Sequence, residues 1–123
     1  MAQVLKISSA YTPPPPEGFI SPMLWGVKQH VVERFESAGI QRDKISFVKD
    51  SFTFNSSHAP IEIVSNFKNF YGPTMNAFEA AEKNGKTNNL EQELQELFTT
   101  QNKSKIKDTT SIDASFLLVT VEC

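Results

Sequence analysis

Apolar residues recur at helical spacing in the first part of the chain. A stripe at positions i, i+4, i+5 and i+8 predicts an amphipathic helix, and Gly39 supplies its C-terminal stop. A shorter apolar run predicts another helix within residues 1–11. The residues of the longer stripe are Val27, Val31, Val32 and Phe35.

Three more helical stripes follow one another between residues 60 and 103. Gly72 and Pro73 separate the first from the second, and Gly85 separates the second from the third, because glycine and proline end helices. This spacing predicts three consecutive helices that pack around a shared aromatic layer. The residues expected in that layer are Phe67, Phe70, Phe78 and Phe98.

Two stretches, residues 44–54 and 111–122, are rich in β-branched and aromatic residues and predict strands. Four consecutive prolines within residues 12–18 predict a stiff polyproline strut, because proline fixes φ and lacks an N–H donor. The predicted order is helix, strut, helix, strand, three helices, strand. We therefore predict a mostly helical α+β fold in a single domain, residues 1–123, with the two long strands antiparallel.

The first strand has a mixed pattern of apolar positions. Ile45 and Phe47 have the opposite parity to Phe52 and Phe54. Successive side chains of a strand point to opposite faces, so one register cannot place all four on the same face. The pattern predicts either a bulge near residues 49–51 or a strand that is covered on both faces.

Charge and cysteine content exclude several classes of protein. The 123 residues carry 12 Lys and Arg against 14 Asp and Glu, a net charge of −2, so we expect no nucleic-acid partner. No stretch approaches about 18 uninterrupted apolar residues, so we expect no membrane segment. Cys123 is the single cysteine and cannot form an internal disulfide, which is typical of a cytoplasmic protein.

The sequence contains no recognisable catalytic constellation. Neither His30 nor His58 has partners at metal-ligand spacing, so we expect no metal site. The five glycines lie singly, so no glycine-rich phosphate loop is predicted, and no catalytic or cofactor-binding residue is assigned. Several large apolar residues either pack in the core or line an apolar pocket. These residues are Trp25, Phe67, Phe70, Tyr71, Met75 and Phe78.

Three segments of the chain resemble one protein family. Residues 13–26, with the sequence PPPPEGFISPMLWG, look like the segment after the fifth strand of class I S-adenosylmethionine-dependent methyltransferases, in the branch related to ubiquinone and menaquinone methyltransferases. Residues 67–74, FKNFYGPT, resemble that branch's F-x-x-Y/F-Y-G-P-T stretch, and residues 110–121 look like its last strand. The similarity runs along nearly the whole chain in the right order.

The resemblance implies a partial methyltransferase fold that lacks the cofactor-binding part. The family binds S-adenosylmethionine with an acidic-Gly-x-Gly-x-Gly turn and a later acidic residue, and this sequence has neither. It therefore resembles the substrate-side C-terminal portion, expected to be inactive in methyl transfer alone and to bind no S-adenosylmethionine by itself. The same resemblance implies an apolar small-molecule pocket lined by Trp25, Phe67, Tyr71 and Met75.

Two other functional interpretations stay open. The chain could be a free-standing homodimeric binding module for a small apolar ligand, or one subunit of a split methyltransferase that a separate cofactor-binding chain completes. In the resembled fold the final strand lies between the fifth and sixth strands, and the fifth is missing here. The apolar strand at residues 111–122 would then have an unpaired edge, which predicts a homodimer through this strand. The competing expectation is that residues 1–11 cover the edge and keep the chain monomeric.

Overall fold

A computed structural model describes the whole chain, Met1–Cys123, as an α+β fold with five α-helices and a two-stranded antiparallel sheet. Two short 3-10 helices, Pro22–Gly26 and Arg42–Lys44, flank the second α-helix. The predicted fold class is confirmed, including three consecutive helices between two long strands. The elements are α1 Ala2–Tyr11, α2 Lys28–Ser37, β1 Ile45–Ser56, α3 Pro60–Phe70, α4 Gly72–Lys83, α5 Thr87–Gln101 and β2 Thr110–Val121.

The chain divides into two compact units. The first, which we call the helical unit, comprises Met1–Pro15 and Thr53–Asp113. The second, which we call the hairpin unit, comprises Pro16–Phe52 and Ala114–Cys123. The prediction of a single domain over residues 1–123 stays a prediction. No helix in the chain combines the length and the apolar character that crossing a bilayer requires.

The core of the helical unit lies among α1, α3, α4 and α5. Leu90 and Leu94 lie one helical turn apart on α5, and both are fully buried. The apolar stripe of α5 lies on one side only, so the polar residues on its other side are exposed to solvent. The buried residues of this core are Val4, Ile63, Val64, Ala77, Phe78, Ala81, Leu90, Leu94 and Phe98.

The breaks between these helices are where the sequence predicts them. Tyr71 links α3 to α4: its N–H donates to the carbonyl of Phe67 at 3.0 Å, and Pro73 lies in the first turn of α4. Gly85 has a φ of +66°, and Lys86 then donates its N–H to the carbonyl of Ala81 at 2.8 Å. The left-handed backbone at Gly85 ends α4 at little steric cost, because glycine lacks a Cβ.

The predicted aromatic layer is wrong at one position. Phe70 is 81% exposed, whereas Phe78 and Phe98 are buried and Phe67 is half-buried. Phe70 is the last residue of α3, and the chain turns immediately afterwards. Tyr71, the next residue, therefore packs against the core in its place.

One polar pair is buried between α1 and α4. The hydroxyls of Ser8 and Thr74 lie 3.3 Å apart and hydrogen-bond to each other, and both residues are at least 98% buried. A buried hydroxyl without a partner costs free energy, so each side chain satisfies the other. The pair joins two helices that are 66 residues apart in the sequence.

In the hairpin unit, α2 covers one face of the two strands. Val31 and Val32 of α2 are buried, as is Ile45 of β1. The Nζ atom of Lys28 lies 5.8 Å from the ring centroid of Phe47, which is a cation–π contact. Residues of odd number in this part of β1 therefore face α2.

Two contacts at different points of the sheet indicate the same pairing register of β1 with β2. The N–H of Glu122 donates to the carbonyl of Lys44 at 3.0 Å, and the Thr53 hydroxyl donates to Asp113 at 2.8 Å. Both pairs are opposite each other in one continuous antiparallel register, so no residue between them is unmatched. The bulge predicted near residues 49–51 is therefore absent.

The other alternative from the sequence, a strand covered on both faces, is also wrong. Phe52 and Phe54, which have the opposite parity to Ile45 and Phe47, are 63% and 42% exposed. β1 is thus a regular strand with apolar residues on both faces. Its odd-numbered face is covered by α2, whereas Phe52 and Phe54 on the other face are exposed.

Candidate functional site

Two of the four residues predicted to line an apolar pocket lie together at the C-terminal end of α3. The rings of Phe67 and Tyr71 are 5.2 Å apart and meet edge to face, and Phe67 also lies 5.3 Å from the ring of Phe98. Such geometry adds to the burial energy of aromatic residues. Both rings are half-buried and pack against the core of the helical unit.

Met75 faces a different region of the same unit. It is 44% exposed and lines a cavity of about 520 Å³, in the size range of small-molecule sites. Phe78 also lines the cavity, and the Nζ atom of Lys68 lies 4.8 Å from its ring centroid. The remaining lining residues are polar: Asn69, Asn76, Glu79, Glu82 and Thr87.

Trp25 belongs to the hairpin unit, in the 3-10 helix before α2. The guanidinium carbon of Arg34 lies 4.7 Å from the centroid of its ring, which is a cation–π contact. The ring centroid of Phe35 lies 6.5 Å away in an edge-to-face arrangement. The indole is 49% exposed. Within the helical unit, then, the structure brings Phe67 and Tyr71 together and gives Met75 a separate cavity. The four-residue pocket stays a prediction.

The titratable side chains form exposed pairs rather than a catalytic cluster. His30 lies 3.5 Å from Glu33 within α2, and His58, just before α3, lies 3.8 Å from Glu62 in its first turn. Lys83 donates to Glu79 at 2.8 Å, which lowers the pKa of Glu79 and raises that of Lys83. No group of three or more His, Cys, Asp or Glu side chains is arranged to hold a metal ion.

A hydrogen-bonded network of side chains surrounds Asp113. The ammonium of Lys103 donates to one carboxylate oxygen, and the hydroxyl of Thr53 donates to the other. These two hydrogen bonds, that of Lys103 first, hold the pKa of Asp113 below its ordinary value. The network supports the start of β2 and offers no free acid or base.

The sequence analysis missed a polar cleft between α1, α4 and α5. It has a volume of about 500 Å³, and Tyr11 and Glu93 meet there across 82 residues of sequence. The Glu93 carboxylate beside the phenol, together with burial, raises the pKa of Tyr11 to about 12. Neither residue belongs to a recognisable motif, so no signal in the sequence joins them.

The neighbouring Glu93 carboxylate predicts how Tyr11 titrates. A pKa raised from 10.0 to about 12 stabilises the folded state fully below pH 10, and this contribution is lost as pH rises towards 12. We expect absorbance at 295 nm in a Tyr71→Phe background, where Tyr11 is the single tyrosine, to show ionisation near pH 12. Glu93→Gln should move that transition towards pH 10. An unchanged transition in Glu93→Gln would contradict the assignment.

The outer edge of β2 is unpaired along most of its length. Because Lys44 and Glu122 form a hydrogen-bonded pair, even-numbered residues of the two strands bond to each other and odd-numbered residues point their backbone groups outward. The N–H of Lys103 donates to the outward carbonyl of Ser111 at 2.7 Å, in agreement with this pattern. The sheet has two strands only. After Ser111, the outward N–H and C=O groups of Ser115 and of the odd-numbered residues up to Val121 therefore have no strand partner.

A second exposed feature is an apolar surface on the hairpin unit, which we call the open face. It lies opposite the face that α2 covers and consists of even-numbered residues. Within β1 and β2, Asp50 is the single charged residue at an even-numbered position, and it lies opposite Phe116 in the register. The apolar side chains of the open face are Val48, Phe52, Phe116 and Leu118, which are 55%, 63%, 45% and 50% exposed.

Comparison with known proteins gives no relative: no family model, curated protein or solved structure matches the chain. Function therefore has to be argued from the residues and the geometry.

Proposed function

We propose that the chain is the substrate-side C-terminal portion of a methyltransferase-like protein and does not transfer methyl groups alone. The resemblance of residues 13–26, 67–74 and 110–121 supports this proposal, as does the order of elements. A helix precedes β1, three helices lie between β1 and β2, and the strands are antiparallel. This order agrees with the end of the resembled fold, in which a helical insertion separates the last two strands.

The observation that carries the proposal is the unpaired edge of β2. In the resembled fold the last strand lies between the sixth strand, to which β1 would correspond, and the fifth. The unpaired edge is where the fifth strand would lie. An edge strand that worked alone would ordinarily carry charges or proline to prevent pairing. The segment Ala114–Val121 contains neither, which is typical of a strand with neighbours on both sides.

Titration with S-adenosylmethionine tests this proposal. We expect no binding by the purified chain, because it has no glycine-rich turn to bring backbone N–H groups to the cofactor. Isothermal calorimetry is suitable, with a complete methyltransferase of the resembled branch as the positive control under the same conditions. A Kd in the micromolar range for this chain alone would overturn the proposal.

The same edge supports a second candidate, a homodimeric module. Two copies of β2 can pair antiparallel about a two-fold axis and form a four-stranded sheet with one self-complementary interface. Lys49 and Asp50 interrupt β1 with charge, so β2 is the edge better suited to pairing. A small apolar ligand would then be bound in the helical unit, near Phe67 and Tyr71. In a split methyltransferase, the separate cofactor-binding chain would take this edge instead.

A further inference from the structure

The open face exposes a continuous apolar surface on the hairpin unit. Its four apolar side chains together expose roughly 400 Å², at the level of the largest apolar patch on a typical monomer. All four come from two adjacent strands, so they form one continuous strip rather than scattered positions. The opposite face of the same strands has similar residues, Ile45 and Phe47, and there α2 covers them.

We propose that the open face docks an amphipathic α-helix of a partner polypeptide, with one lysine or arginine of that helix placed against Asp50. This inference is independent of what pairs with the edge of β2. Edge pairing adds strands in the plane of the sheet and leaves its faces as they were. Strand pairing at the edge of β2 therefore leaves the open face exposed.

The dimensions of the open face select one helix. From Val48 to Phe52 the strip is about 13 Å long, at about 3.3 Å per residue, and two strands make it roughly 10 Å wide with side chains. A helix of two to three turns has about that length and width. The hairpin unit itself gives the precedent, because the single helix α2 buries Val31 and Val32 over the other face.

The area disfavours a second copy seated face to face. A standard protein interface buries about 800 Å² on each partner, and the open face offers about half of that. Two copies stacked through it would make a contact too small for a specific dimer. A single helix needs no larger surface, because its own apolar stripe is only a few side chains wide.

Asp50 specifies the charge of the occupant. One carboxylate oxygen accepts the N–H of Ser51 at 2.7 Å, and no Lys, Arg or His forms an ion pair with it. Covering this carboxylate without a counter-charge would carry the cost of an unpaired buried anion. A cation at the centre of the apolar stripe removes that cost and fixes the position of the helix.

A synthetic helical peptide of about 18 residues provides the test, since shorter peptides are marginally helical in water. The probe carries leucines at i, i+4, i+7 and i+11 and one lysine within that stripe. Fluorescence anisotropy with the full chain should show saturable binding. The double variant Phe116→Ser, Leu118→Ser should weaken it by at least about tenfold. Phe70→Ser, which removes a more exposed ring from the helical unit, is the control and should leave it unchanged.

A charge exchange tests the orientation. Asp50→Lys should weaken binding of the lysine peptide several-fold and strengthen binding of a matched peptide with glutamate at that position. Absence of saturable binding, or equal loss in Phe70→Ser, would overturn the proposal. So would a dimer that dissociates in the Phe116→Ser, Leu118→Ser variant, which would assign the face to a second copy. Cofactor titration and edge variants address the proposed function separately, because they involve neither residue.

Discussion

Replacing Leu94 with alanine is expected to lower the free energy of unfolding by about 3–5 kcal/mol. Leu94 is fully buried at the centre of α5 and has no exposed surface from which solvent could fill the space. The substitution removes apolar contacts and leaves a cavity, because a close-packed interior relaxes only in part. Urea unfolding followed by circular dichroism measures the change.

The matched control for Leu94→Ala is Phe70→Ala. Phe70 is 81% exposed, so removal of a larger side chain should change stability by less than about 0.5 kcal/mol. The comparison separates burial from residue size. A loss below about 1 kcal/mol in Leu94→Ala, or an equal loss in both variants, would show that α5 does not pack as described.

Replacing Ser115 with proline is expected to abolish the proposed homodimer. Ser115 is odd-numbered, so its N–H points away from β1 in the plane of the sheet. It takes no part in the pairing of β2 with β1. Proline removes this donor at the middle of the unpaired edge and should weaken strand pairing between copies by at least about 100-fold. Light scattering at micromolar concentration should show a fall from two chains to one chain of 13.8 kDa.

Ser51→Pro makes the equivalent change on the other strand, where it also removes the N–H that donates to Asp50 at 2.7 Å. Ser51 lies opposite Ser115 in the register, and its N–H also points outward, towards the free edge of β1. This variant should leave the dimer intact, since β1 is not the proposed interface. A single-chain mass for the unmodified protein would refute the dimer, and dissociation by both prolines would show that the effect is not specific to β2.

The sequence predicts the helices of this fold well because their signals are local. Gly72 with Pro73, and Gly85, break the apolar pattern at two points, and the three helices are separated there. The strands were also predicted within two residues at either end, since β-branched and aromatic residues cluster there. Local rules cannot say which apolar residues are covered, because cover depends on elements distant in the sequence. Phe70 and Phe52 are the examples, apolar in pattern and exposed in the structure.

The candidate site was less predictable than the fold. Trp25, Phe67, Tyr71 and Met75 were grouped by a resemblance, and spacing could support only the contact of Phe67 with Tyr71, one helical turn apart. The open face was visible in the sequence as the mixed parity of β1. Its meaning was missed because both explanations considered assumed that every apolar residue must be buried. The cleft at Tyr11 depends on a long-range contact with no periodic signal.

The hydroxyl pair of Ser8 and Thr74 has a consequence for the specificity of folding. An apolar helix can slide along another with little change in buried area, and one helical turn is about 5.4 Å. A slide of α1 by that distance would separate the two hydroxyls and leave both buried without a partner, at about 1–3 kcal/mol each. The pair therefore selects one alignment of α1 on α4 among several that apolar packing alone would tolerate.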